Sequence, residues 1–312
     1  MNRIARTILA ATLLFGLFGS AAFAQDEPQI GLSTINLQAL FFNQINDGAL
    51  TAAEEFGADV QIVDSNNDPD RQVRAIESFI TQQKDAIIVV AIDVNGIVPA
   101  LQAARDAGIP IVAIDAQVAS PPANVFIGVE NYDAGVQAGE YTLDYIASSL
   151  DGSAKIGIVG ALNSFIQNQR RDGFVDALEG VEGVEIVNVV DGQNNQEVAL
   201  SAAENLMTGN RDLDIVYATG EPALIGSIAA VESQGLTDSV DVIGWDLTQQ
   251  AIRGIEEGFV VAVVQQNPYQ EGYEAVRASL GLIAGEDVAS EILIPIDIVT
   301  DENVDDFRYL FE

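Results

Sequence analysis

Residues 86–115 read Ala-Ile-Ile-Val-Val-Ala-Ile-Asp-Val-Asn-Gly-Ile-Val-Pro-Ala-Leu-Gln-Ala-Ala-Arg-Asp-Ala-Gly-Ile-Pro-Ile-Val-Ala-Ile-Asp. Ala86 to Ile92 is aliphatic at every position, as expected of a strand covered on both faces rather than one with a wet side. A helical pattern follows from about Ile97 to Ala107 and stops at Gly108, a natural helix C-cap. Pro110 to Asp115 then begins a second apolar strand. Strand, helix and strand in quick succession are the unit of a mostly parallel α/β sheet.

The same alternation extends in both directions. Upstream, strands are expected at Ile30–Ser33 and Val60–Asp64, with helices at Leu40–Phe56 (Phe41, Ile45, Ala49 and Ala52 inward) and Asp68–Gln82 (Val73, Ile76, Phe79 and Ile80 inward). Downstream, a strand at Asn124–Val129 closes one cycle and the helix at Tyr132–Leu150 opens another. Strands then follow at 154–160, 184–190, 215–219, 240–245 and 260–266. Helices lie between them, and a long one spans Tyr269–Ile283. Leu293–Val299 reads as one extended segment and Val304–Phe311 as a tail. The expected fold class is α/β, with two Rossmann-like lobes of parallel strands. Their expected limits are 25–129 with 267–297, and 130–266 with 298–312. A multi-strand hinge would join them, since no Pro/Ser-rich linker separates them.

The N-terminus carries Arg3 and Arg6, an apolar run from Ile8 to Phe18, and Ser20-Ala21-Ala22-Phe23-Ala24. A positive start, a short apolar core and a small-residue site make a secretory signal peptide covering 1–24. The run is shorter than the roughly 20 residues of a membrane span. Its removal leaves 288 of 312 residues, a length at which chains divide into two domains. Cysteine and histidine are both absent. The chain therefore lacks a thiol nucleophile, an imidazole base and the softer metal ligands. No cofactor or metal is expected. The signal holds two of the 13 basic residues and none of the 47 acidic ones, so its removal takes the formal charge from −34 to −36. Such a chain repels phosphate backbones, which argues against nucleic acid as a partner.

In open α/β sheets ligands sit beyond the carboxyl ends of the strands. Here those ends carry Ser33, Asp64, Asp93, Asp115, Gly220-Glu221, Trp245-Asp246 and Gln265-Gln266. Three motifs sharpen the picture. Ser33-Thr34-Ile35-Asn36 is followed by Phe41-Phe42 and Asp47-Gly48-Ala49. Arg170-Arg171-Asp172-Gly173-Phe174 lies after the 154–160 strand, and Val242-Ile243-Gly244-Trp245-Asp246 precedes Gln266-Asn267-Pro268. In this order the chain, from Gln29 to about Val299, resembles the type I periplasmic binding proteins of sugar ABC transporters, the ribose-binding branch especially.

The resemblance implies a small-molecule sugar held in the cleft between the lobes by hinge closure. Phe41 and Phe42 would pack on the sugar, Asp115 and Asp246 would accept from its hydroxyls, and Arg170 would donate to its oxygens. Asn36, Glu221, Trp245 and Gln266 complete the implied site. Carboxylates, an amide and a guanidinium satisfy hydroxyls, and an aromatic ring covers a C–H face. Ala116 stands where ribose binders have arginine, and Asn194-Asn195 replace an aromatic–aspartate pair. A related pentose, hexose or polyol is implied rather than ribose itself. A membrane permease is the implied partner, a chemoreceptor is a compatible further one, and a monomer is expected. Plainer readings stand beside these: helix capping for Asp115 and Asp246, core packing for the phenylalanines, a surface ion pair for Arg170, a turn for Gln266. No nucleophile elbow, P-loop or dinucleotide fingerprint occurs. A carboxylate-pair glycosidase is the enzyme alternative.

The charge alone makes a prediction. The Debye length falls from roughly 30 Å at 0.01 M salt to 3 Å at 1 M, so the mature chain should melt at a higher temperature as sodium chloride rises across that range. A flat or falling midpoint would remove self-repulsion as a determinant of its stability.

Overall fold

The computed structural model describes residues 27–119 and 123–311. The expected signal peptide lies outside the described residues. The first cycle runs β1 (Gln29–Thr34), α1 (Leu40–Phe56), β2 (Asp59–Asp64), α2 (Pro69–Thr81), β3 (Ala86–Val90), α3 (Val98–Asp106), β4 (Ile111–Ile114) and β5 (Val125–Gly128). The second runs α4 (Asn131–Ser149), β6 (Ala154–Gly160), α5 (Phe165–Leu178), β7 (Val184–Asp191), α6 (Gln196–Gly209), β8 (Ile215–Ala218), α7 (Glu221–Gln234), β9 (Asp241–Trp245), α8 (Gln249–Glu257) and β10 (Val260–Gln265). The chain ends with α9 (Pro268–Ile283), β11 (Glu291–Leu293), β12 (Asp297–Val299) and a 3₁₀ helix at Val304–Phe311.

The strands form two six-stranded sheets, ordered β11-β5-β4-β3-β1-β2 and β12-β10-β9-β8-β6-β7. Strand for strand the orders match, so β4 corresponds to β9 and β5 to β10. The two-lobed α/β fold expected from the sequence is the fold observed. Pairing is parallel except for β12, which runs antiparallel to β10. The extended segment read at Leu293–Val299 is in fact two short strands. β11 adds to the first sheet and β12 to the second, with Ile294, Pro295 and Ile296 between them. The chain thus crosses between sheets three times: between β5 and α4, between β10 and α9, and between β11 and β12.

Each sheet is covered on both faces. Ile30, Leu32 and Ile88 pack under α1 and α9, while Ile87 and Val89 pack with Phe79 of α2 and Leu101 of α3. In the second lobe Val216 and Val242 face α6 to α8, and Ile156, Tyr217 and Trp245 face α4 and α5. Side chains fix the starts of several helices. Asp68 accepts from the N–H groups of Asp70 and Arg71 ahead of Pro69, Asn195 from those of Glu197 and Val198, and Thr248 from that of Ala251.

Two helix pairs are pressed together through glycine. A Cβ built on Gly272 would overlap the carbonyl oxygen of Ile45, and one on Gly48 that of Tyr269, across the α1–α9 crossing. Across α4–α5 the same reciprocal pattern joins Gly173 to Tyr132 and Gly135 to Arg170. In an open helical position, glycine-to-alanine gains about 0.5–1 kcal/mol. Gly272→Ala should reverse that sign and cost about 1–3 kcal/mol, the range of overpacked cores. Gly209→Ala on α6, where a Cβ meets nothing, should be neutral or stabilising. Chemical denaturation of both variants checks the reversal.

Candidate functional site

The carboxyl ends of β4 and β9 deliver equivalent aspartates. Asp115 follows β4 and its N–H bonds the Ile127 carbonyl at 2.9 Å. Asp246 follows β9 and its N–H bonds Val264 in the same way, also at 2.9 Å. Both have left-handed backbones, with φ of 63° and 64°. At Asp115 the turn is closed by Ala116 N–H to the Ile114 carbonyl at 2.7 Å, and its positive φ is the rarer, strained form of a three-residue turn. Non-glycine residues held so typically cost 1–3 kcal/mol each and cluster at ligand sites. Neither aspartate caps a helix among the described residues: α8 is capped by Thr248, and no described helix lies between Asp115 and β5.

Between them stands Arg170 on α5, buried although charged. Its guanidinium lies 3.8 Å from the ring centroid of Trp245. Its Nε donates to Asn131 Oδ1 at 2.8 Å, one Nη contacts the Thr219 carbonyl at 3.4 Å, and the same Nη is 3.8 Å from Asp246 Oδ2. Trp245 is braced in turn, its Nε1 donating to Tyr217 Oη at 2.7 Å, and the Tyr217 ring stacks on Phe174 at 3.7 Å. Gln266 Nε2 donates to Asp246 Oδ1 at 2.7 Å, so Gln266 orients that carboxylate.

A cavity of about 270 Å³ opens here, lined among others by Phe41, Phe42, Asp115, Arg170, Asp246 and Gln266. That is the small end of ligand pockets, which run roughly 300–1,000 Å³. Glu221, exposed at the start of α7, and Asn194 lie on its second-lobe side. A larger hollow of about 620 Å³, beside Met207 and Arg211, lies at the opposite end of the second sheet and gathers no comparable set of groups. Phe41 and Phe42 meet edge to face with centroids 5.4 Å apart in the first turn of α1, each half-buried, so both rings present part of a face. The Asp115 carboxylate has no side-chain or backbone donor among the described residues, leaving its oxygens available.

Two expected residues are placed otherwise. Asn36 is not on the cavity wall. Its Oδ1 accepts from the N–H groups of Gln38 and Ala39 and its Nδ2 donates to Asn67, so the amide is spent on folding the β1–α1 loop. Trp245 is fully buried and supports Arg170 from behind. Conversely, Gln167 and Asn131 carry no signal in the motifs above, and Asn194 enters there only as a departure from the ribose-binding pattern. Gln167 lies one turn before Arg170, on the same face of α5. Its amide bonds Asn194 and Thr219 at 2.8 Å, and helical spacing from Arg170 was the available signal. Glu271, in the first turn of α9, is fully buried, and neither carboxyl oxygen has a hydrogen-bond partner among the described residues.

Burial pushes the Asp115 carboxyl up to about 6, with Arg170 opposing the shift and Asp246 adding to it. Burial likewise holds Glu271 well above the usual carboxylate range, reinforced by Asp115 and Asp246 and opposed by Arg170. A folded-state value above the unfolded one means the native state binds the extra proton. The resulting stability is complete at low pH and lost as pH rises from about 4 through about 6. Asp115→Asn, which keeps a residue tolerant of positive φ, should therefore raise the melting temperature at neutral pH. The corresponding free energy is at most roughly 3 kcal/mol. The gain should shrink toward pH 4 while binding is lost. Melting curves across that range would overturn the assignment if the gain were independent of pH.

A family model described as periplasmic binding protein domain matches residues 30–287. The ribose import binding protein of Bacillus subtilis is 28% identical over 272 residues, covering 87% of each chain. A D-ribose/D-allose-binding protein of Pseudomonas aeruginosa is 27% identical over 96% of this chain and 99% of its own. Among solved structures, an ABC transporter solute-binding protein of Bacillus halodurans with bound myo-inositol superposes with a TM-score of 0.79 at 28% identity. The match covers 92% of this chain and 99% of that one.

Proposed function

The chain belongs to the periplasmic binding protein domain family, and on that premise we propose that it is the solute-capturing component of an ABC importer, taking a monosaccharide into the cleft between its lobes. One arrangement carries this reading: Asp115 from one sheet and Asp246 from the other converge on a single small cavity floored by Arg170 and walled by Phe41 and Phe42. Acceptors on two sides, a forked donor and aromatic faces are what a ring of hydroxyls needs. The three crossings between the sheets form the hinge about which the lobes close on the sugar. In this reading the lobes are 25–129 with 267–297 and 130–266 with 298–312.

The remaining assignments follow the same premise. Residues 1–24 direct export and are removed, and the mature monomer works in the periplasm, delivering its solute to a membrane permease. No described helix is long and apolar enough to cross a membrane. The chain binds rather than catalyses. A cyclitol is the second reading, supported by the relative solved with bound myo-inositol.

A thermal-shift screen of pentoses, hexoses, polyols and cyclitols should show one clear stabiliser, since binding to the native state raises stability by mass action. Calorimetry then tests the geometry. Asp246→Asn keeps the positive-φ turn yet exchanges an acceptor facing Arg170 for a donor. A lost charge-assisted hydrogen bond costs about 1.5–3 kcal/mol, so the variant should fold normally and bind that solute at least tenfold more weakly. Affinity at the native level would remove Asp246 from the site.

A further inference from the structure

Sugar capture accounts for Asp115, Asp246 and Arg170, and leaves Glu271 without a task. It enters from α9, whose first turn is pinned against α1 by the Gly48–Gly272 crossing. Its carboxyl is completely enclosed, and neither oxygen meets a donor. A buried acid in that position is unsatisfied in either protonation state: ionised it lacks a donor, neutral it lacks an acceptor for its proton. The charged groups that act on it are Asp115 at the end of β4, Asp246 at the end of β9 and Arg170 on α5. These are the groups that converge on the cavity. From α1 the neighbouring helix contributes the buried, uncharged Asn46, whose Oδ1 also has no partner.

The electrostatic balance of the cleft is therefore lopsided. On the cavity wall Asp115, Asp246 and Glu221 stand against Arg170 alone, the only basic residue there among the described residues. That guanidinium is already committed to Trp245, Asn131 and Asp246. Asp115 keeps both oxygens open, and Glu271 behind the wall is a second acid that ionises only when a positive charge arrives. A neutral polyol would satisfy hydroxyl geometry and leave this surplus uncompensated. A ligand bearing one positive charge would stabilise the ionised forms of both acids at once.

We propose that the solute carries a protonated amine on its polyhydroxylated ring, read by Asp115, and that Glu271 is the positioning residue that sets this preference through its field. The inference rests on the reading of the cleft as a sugar site and narrows it to amino sugars or aminocyclitols. Because an ammonium favours ionised acids, its binding releases protons that a neutral ring does not displace.

The test uses matched pairs: D-glucose with D-glucosamine, D-galactose with D-galactosamine, D-mannose with D-mannosamine, D-ribose with 3-amino-3-deoxy-D-ribose, and myo-inositol with an aminodeoxy-inositol. Calorimetry on the mature protein at about pH 7 is run in two buffers of different ionisation enthalpy. In at least one pair the amino member should bind at least tenfold more tightly than its partner, with net proton release. Glu271→Gln, checked for folding by thermal melting, should lower the amino-to-neutral ratio at least threefold. Tighter or equal binding of the neutral member in every pair that binds overturns the proposal while leaving sugar capture intact. So does amine binding without proton release, or an unchanged ratio in Glu271→Gln. If no member of any pair binds, the sugar reading itself falls and this inference with it.

Discussion

The cleft is organised by one interaction, the guanidinium of Arg170 laid on the indole of Trp245. A buried charge survives only where it is paired and fully bonded, and here the face is met by a ring 3.8 Å away, the edge by Asn131 and one end by Asp246. The column continues inward through Tyr217 to Phe174, so the charge rests on a stack of fully buried aromatics. The planar ion is fixed before any solute arrives. Asp246, turned by its positive φ and held by Gln266, is aimed by the same framework. Remove that column and two carboxylates face each other with nothing between them.

The glycine crossings transmit this rigidity. Gly135 lets α4 approach the backbone of Arg170 itself, and Gly272 lets α9 bring Glu271 up against the first lobe. In each lobe the residue that matters electrostatically sits on a helix positioned by backbone-to-backbone contact rather than by side chains that could re-pack. Each of these helices belongs to one sheet although the preceding strand belongs to the other, as for α9 after β10 and α4 after β5. A rotation about the crossings, as proposed, would move Asp115 and Asp246 relative to each other without disturbing how either is held.

Most of the fold was legible because its signals are local. The wholly aliphatic Ala86–Val90 could only be a doubly covered strand, and Gly57, Gly235 and Gly258 stop α1, α7 and α8 with left-handed caps. At Leu293–Val299 the expected extended segment and the change of lobe at 297/298 were legible, but its division into two short strands was not, because Ile294, Pro295 and Ile296 are as apolar as the strands beside them. Around the cavity, Asp115 and Asp246 were legible because strand ends locate them, whereas Arg170 and the paired phenylalanines came forward only through the family resemblance. Trp245 could not be oriented: alternation along β9 turns its ring into the core, and only the positive φ of the next residue swings Asp246 back toward the cavity. Asn36 looked like a ligand residue because loop-forming and ligand-binding amides are chemically the same. Glu271 was invisible among many acids, since sequence shows a charge but not whether it is buried.

These features share an energetic direction. Two left-handed aspartates, an acid without a partner and a buried cation each make the native state less stable than the same fold with apolar replacements would be. The lobe cores are built chiefly from Val, Ile, Leu and Ala. Asp115, Asp246 and Arg170 gather at the cavity between the lobes. In the proposed reading, that stored energy is relieved by a solute that bonds to both lobes at once, bridging Asp115 and Asp246. The cores would then keep each lobe folded while the cleft stays unsatisfied, and its closure would be coupled to what fills it.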